Sequence, residues 1–147
     1  SEIVDQVRAL VAGEENVVAN LANTSALLMS ATSWHWVGFY LVDQAKNELV
    51  LGPFQGPVAC TRLSMGRGVC AKSWALSETI VIDDVESFEG HIACSSLSKS
   101  EVVVPILYDG VVVGVLDIDS VELNGFSSSD VKILEEIVQI IEAKWRG

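Results

Sequence analysis

Three cysteines, Cys60, Cys70 and Cys94, are the rarest groups in this chain with chemical potential, and all three fall in glycine-rich or irregular segments. A buried free thiol needs no chemical role. Thiols in loops and at a loop-to-helix junction are instead placed for nucleophilic attack, disulfide exchange or metal binding. Cys70 follows Gly66-Arg67-Gly68 and is predicted to lie in the first turn of a helix over Val69 to Leu76, where the positive helix end favours a thiolate. A metal site would combine the three thiols with His91, spaced His-x-x-Cys from Cys94, although no Cys-x-x-Cys pair supports it.

A second constellation is acidic. Asp117 and Asp119 alternate in an apolar run, so the period of a strand puts both carboxylates on one face. Glu101 opens the other strand of the same hairpin and can face the same side. Like charges so close resist joint ionisation, which leaves a proton available near neutrality; the alternative is a solvated strand face. Trp36 and Tyr40, four apart on a strand, share a face while Phe39 points away. They are core residues or the walls of a pocket for an apolar or cationic group.

The elements that must position these groups follow from periodicity. Apolar residues recur at helical spacing from Ser1 to about Thr32, with Gly13 separating two helices. Trp36 to Val42 and Glu48 to Leu51 read as a hairpin, and Gly52 to Pro57 as an irregular loop leading to Cys60 and a strand near Thr61 to Ser64. Thr79 to Ile82 reads as a strand, and Asp83 to Ser100 shows no periodicity. Val102 to Tyr108, the Asp109-Gly110 turn and Val111 to Ile118 form the strongest hairpin signal, with Pro105 marking an edge or a bulge. Ser127 to Asp130 offers caps to a closing amphipathic helix. The expected fold is α+β, an antiparallel sheet of five or six strands flanked by helices at one face, those of the N- and C-termini and one inserted between strands.

The chain has 147 residues, half of them hydrophobic, which suits one domain spanning 1–147 with no need of a disulfide framework or structural metal. Nine basic against 20 acidic residues give a net charge of −11, a poor match for nucleic acid or an anionic membrane. No apolar stretch is long enough to span a bilayer, and Glu2 and Asp5 stand where a signal peptide needs positive charge, so a cytoplasmic location with reduced thiols is expected.

Seven segments together resemble the free methionine-(R)-sulfoxide reductases, small stand-alone GAF-domain enzymes: Trp36 to Tyr40, Gly52 to Gly56, Ala59 to Arg62, Gly66 to Cys70, Gly90 to Cys94, Ser100 to Pro105 and Gly114 to Ser120. The resemblance implies a GAF-like fold with Cys94 as nucleophile, Cys60 and Cys70 in resolution, Trp36 and Tyr40 around the methylthio end of free methionine sulfoxide, and Glu101, Asp117 and Asp119 binding the ammonium and supplying a proton. It implies no bound cofactor, an external dithiol such as thioredoxin as reductant, and a homodimer. Two other classes fit the same residues: a GAF sensor that binds a small ligand or reports redox state, and a zinc-stabilised interaction domain. Thioredoxin-coupled turnover separates the first from the second, and stoichiometric zinc marks the third.

Overall fold

The computed structural model describes residues 1–90, 94 and 97–146. Helices α1 (Glu2–Val11) and α2 (Val17–Ala31) form as the helical spacing predicts, and Val4, Val7 and Val11 give α1 a single buried stripe. Asn16 starts α2 by accepting a hydrogen bond from the Ala19 amide. At the far end of the chain α4 (Ser128–Lys144) opens with a reciprocal capping box between Ser127 and Asp130 and buries Leu134, Ile137, Val138, Ile140 and Ile141.

The strands are β1 (Trp36–Asp43), β2 (Glu48–Gln55), β3 (Arg62–Ser64), β4 (Ile80–Ile82), β5 (Ser100–Tyr108) and β6 (Val111–Ser120). They form one antiparallel sheet in the order β3-β2-β1-β6-β5-β4. Asp109 and Gly110, both at positive φ (53° and 77°), make the tight turn of the β5–β6 hairpin. Alternation along each strand sends side chains to two different cores. Val37, Phe39, Val102, Val104, Leu116 and Ile118 pack under α1, α2 and α4. Trp36, Tyr40, Leu49, Leu63, Val103 and Val115 face the other way, toward Val69 and Cys70 of α3 (Gly68–Leu76).

Two expectations change. The helices do not all lie on one face: α3 covers the opposite side of the sheet, because its buried residues Val69, Cys70, Ala71 and Ser73 are drawn against the β1–β6 surface. Strand β2 does not stop at Leu51 but runs through Gln55, across Gly52 and Pro53. Pro53 is tolerated because β3 pairs only with Glu48 to Val50, so that part of β2 has no outer neighbour to receive an amide hydrogen. Pro105 sits on the same kind of edge, since β4 pairs only with Glu101 to Val103, and a register shift follows it between Ile106 and Leu107. The Leu107 amide donates to Glu142 Oε2 at 2.7 Å, so helix α4 closes that edge.

Candidate active site

Register delivers the acids. Glu101 on β5 pairs with Asp119 on β6, Val103 pairs with Asp117, and Asp117 pairs in turn with Gly38 of β1. The three carboxyls therefore share the α3 face, as strand alternation predicts, and Glu101 and Asp117 are buried there with only 7% and 6% exposure. The solvated-face alternative does not hold. Gly38 is required at the centre of this surface: a Cβ there would meet the Trp36 ring at 2.6 Å and collide with Phe54 Cβ. Its lone hydrogen lets Trp36 stack between Phe54, at 5.2 Å between centroids, and Tyr40, at 6.0 Å.

Burial and mutual repulsion load this cluster with protons. Desolvation, followed by the charge on Asp117, pushes the Glu101 carboxyl well above the usual carboxylate range, and the hydrogen bonds it donates to Asp117 and Asp119 hold its proton further. The Asp119 carboxyl is also pushed well up, first by burial and then by Asp117, with the Glu101 hydrogen bond opposing. Tyr40 is raised by burial and by the same acids, so its hydroxyl stays a donor.

Cys70 does lie in the first turn of a helix, but the expectation of a favoured thiolate is overturned. Full burial, then the charges of Asp117 and Glu101, push its thiol well above its ordinary value, and it also hydrogen-bonds Asp117. The half-charge of one short helix is outweighed by buried carboxyls brought in from β5 and β6, a juxtaposition created by tertiary pairing. The sulfur of Cys70 and carboxylate oxygens of Glu101 and Asp117 lie within 4.8 Å of one another, the one grouping among the described residues that could hold a metal ion. Cys60 and Cys94 form a disulfide, with Cα atoms 5.5 Å apart. Two of the thiols in the three-cysteine metal reading are thus consumed in this state, and His91 lies outside the described residues.

Trp36 and Tyr40 do more than line a wall. The Trp36 Nε1–H donates to the Pro57 carbonyl at 3.0 Å, and the Tyr40 hydroxyl donates to the Cys60 carbonyl at 2.7 Å. Together they fasten the strap from Pro57 to Cys60 across the sheet, a role that leaves no local sequence signal because it joins residues 20 or more apart. Gly56 begins the strap at φ 128°, with its would-be Cβ 2.7 Å from the Trp36 ring. The space beneath is a cavity of about 50 Å³. Of the eight residues singled out from sequence, seven line it: Trp36, Tyr40, Cys70, Cys94, Glu101, Asp117 and Asp119. Cys60 does not line it, although its sulfur closes the bridge to Cys94. Sequence reasoning passed over Ser98, which also lines the cavity and whose buried Oγ has no hydrogen-bond partner among the described residues. One of a run of serines in an aperiodic stretch, it carries no distinguishing signal.

This arrangement can do reversible sulfur redox chemistry beside a reservoir of protons, in an apolar-walled pocket. Comparison with known proteins points the same way. The GAF domain family model matches residues 12–143. The chain is 47% identical over 135 residues to the free methionine-R-sulfoxide reductase of Escherichia coli strain K12, covering 91% of this chain and 81% of that protein. It is 40% identical over 151 residues to the Saccharomyces cerevisiae protein of the same name, covering 95% and 84%. The solved structure of free methionine-R-sulfoxide reductase from Neisseria meningitidis in complex with its substrate superposes with a TM-score of 0.95 at 53% identity, covering 97% of this chain and 86% of that one. The chain belongs to the GAF domain family, among the relatives of the free methionine-R-sulfoxide reductases.

Proposed function

We propose that this chain is an enzyme that reduces free methionine-(R)-sulfoxide to methionine. The observation that carries the reading is the Cys60–Cys94 disulfide closing a cavity that also holds Glu101, Asp117 and Asp119. A small-ligand sensor needs a pocket but no redox pair, and a redox sensor needs the pair but no pocket lined by protonated carboxyls. Cys94 is the nucleophile: its sulfur attacks the sulfoxide sulfur while a carboxyl of the cluster protonates the sulfinyl oxygen. The thiol and the sulfoxide become a sulfenic acid and free methionine, with oxygen passing to Cys94. The Cys60 thiol then condenses with the sulfenic acid, releasing water and forming the disulfide.

Trp36 and Tyr40 hold the methylthio end by apolar contact, and the acids receive the ammonium of an amino acid whose ends are free. Cys70, buried and protonated beside Asp117, stands in reserve as a second resolving thiol. No prosthetic group takes part, and an external dithiol such as thioredoxin reopens the disulfide. The test is thioredoxin-coupled NADPH oxidation with free L-methionine-(R)-sulfoxide, run beside the (S) epimer and a peptide containing methionine sulfoxide. Turnover confined to the free (R) form is expected; comparable rates on the peptide or on both epimers refute the proposed selectivity. Light scattering on the purified chain tests the homodimer that the resemblance implies.

A further inference from the structure

The two sulfurs of the disulfide sit in different surroundings. Cys94 lines the cavity with Glu101, Asp117 and Asp119, whereas Cys60 stands outside it at the end of the strap. The strap carries Val58, the most exposed of the large apolar side chains among the described residues at 90%, and its Pro57 and Cys60 carbonyls are taken by Trp36 and Tyr40. A disulfide is opened by a thiolate that attacks one sulfur and expels the other as a new thiolate. The direction decides where charge appears. Attack on Cys94 would carry a reductant thiolate into a cavity rimmed by three carboxyls. Attack on Cys60 keeps the reductant at the strap and expels Cys94 toward groups that can protonate it.

We infer that recycling runs in the second direction: an external dithiol attacks Cys60 Sγ, and Cys94 departs into the carboxyl cluster, which protonates it. The inference rests on the reductase reading, in which Cys94 is the sulfur that must be regenerated for the next substrate. A bond forms from the reductant sulfur to Cys60 Sγ as the Cys60–Cys94 bond breaks, and the electron pair of that bond goes to Cys94 Sγ. Cys94 takes a proton from Glu101 or Asp119, and solvent returns the proton that the reductant thiol lost on ionising. The second thiol of the reductant then attacks the mixed disulfide, releasing Cys60 and leaving the reductant as its own disulfide. Two electrons enter the protein and both cysteines end reduced. The cluster therefore acts twice per cycle, first on the sulfinyl oxygen and then on Cys94. A bare thiolate at Cys94 would otherwise face the carboxylates that already disfavour one at Cys70.

The experiment starts from the full chain oxidised chemically to the Cys60–Cys94 disulfide, so that it does not depend on sulfoxide turnover. It is mixed with a thioredoxin whose second active-site cysteine is serine and, separately, with glutathione, then quenched in acid, alkylated and mapped by mass spectrometry. A Cys70→Ser variant run in parallel prevents transfer of the adduct to the third thiol. The expected product carries the reductant on Cys60 and the alkyl label on Cys94. An adduct on Cys94, comparable amounts on both, or none from either reductant overturns the direction. The opening rate with dithiothreitol should fall about tenfold or more in the Glu101→Gln/Asp119→Asn double variant, general-acid help being typically worth about 10²–10⁴-fold. An unchanged rate removes the cluster from this step. If wild type traps on Cys60 yet releases no methionine from the sulfoxide, the reductase reading fails and the direction of opening stands.

Discussion

Glu101 and Asp119 face each other across the β5–β6 ladder, and the carboxyl of Glu101 donates a hydrogen bond to that of Asp119. Each is held protonated above its ordinary range by burial and by Asp117, so in the proposed reaction the pair is the source of the proton for the sulfinyl oxygen. Glu101→Gln, Asp117→Asn and Asp119→Asn should each depress turnover, with at least one falling roughly 10²-fold. In wild type the rate should decline as pH rises through the raised apparent pKa of the cluster. A pH–rate profile of the four proteins, with thiol ionisation followed by alkylation, decides; near-normal turnover in all three variants would return the acids to a structural role.

The same protons make stability depend on pH. An unfolded Glu or Asp ionises near pH 4, whereas folded Glu101 and Asp119 keep their protons well above that, so the folded state binds more protons over this interval. Their contribution is fully present below the unfolded pKa and is lost as pH rises through the folded values. Thermal unfolding should therefore show Tm falling from mildly acid toward alkaline pH. Glu101→Gln should flatten the slope and raise Tm at neutral pH, by about 2–4 °C for each kcal/mol recovered in a domain of this size. A Tm that rises with pH over the same range, or a slope that Glu101→Gln leaves unchanged, contradicts the assignment.

Attack on the sulfoxide needs one thiol. Without reductant, Cys60→Ser and Cys70→Ser should still release about one methionine per chain in a single turnover, and Cys94→Ser should release none while keeping a folded-state circular dichroism spectrum. Stoichiometric release by Cys94→Ser would mean that another sulfur is the nucleophile.

Tyr40 ties the strap through the Cys60 carbonyl, and Tyr40→Phe leaves that carbonyl without its partner at a cost of about 1–3 kcal/mol. Cys60 is then held less firmly against Cys94, and closure of the disulfide should slow by roughly tenfold, the equivalent of about 1.4 kcal/mol. Trapping of the sulfenic acid with a dimedone reagent should show it living longer than in wild type. An unchanged lifetime would mean that the tether plays no part in resolution.

Ser98 offers a buried hydroxyl to whatever fills the cavity. Ser98→Ala should raise KM about fivefold with little change in kcat, the loss of one neutral hydrogen bond of about 1 kcal/mol. Equal KM values would exclude substrate contact at this position.

Much of this architecture was legible in local pattern. The Asp109-Gly110 turn marks the β5–β6 hairpin and strand alternation puts Asp117 and Asp119 on one face, but Glu101 joins them only through the register shift between Ile106 and Leu107, which the turn does not encode. The rest depended on contacts that no window of sequence contains. Pro53 reads as a turn residue until β3 is seen to stop short of it. Cys70 reads as an activated thiol until Asp117 arrives beside it. Trp36 and Tyr40 read as walls because their polar tips meet backbone carbonyls of a distant strap. Residue types were visible, but which groups they would meet was not.

Strand β6 sends Leu116 and Ile118 into the helical core and Asp117 and Asp119 to the opposite face. A slip of one residue in its pairing would exchange the two sets, forcing both carboxyls among Phe39, Leu134 and Ile137 and wasting two large apolar side chains on the pocket. Burying unpaired acids in such a core is costly enough to reject that alternative during folding. The carboxyls that line the cavity thus also proofread the sheet, so replacing both aspartates by neutral residues would relax the fidelity of strand pairing.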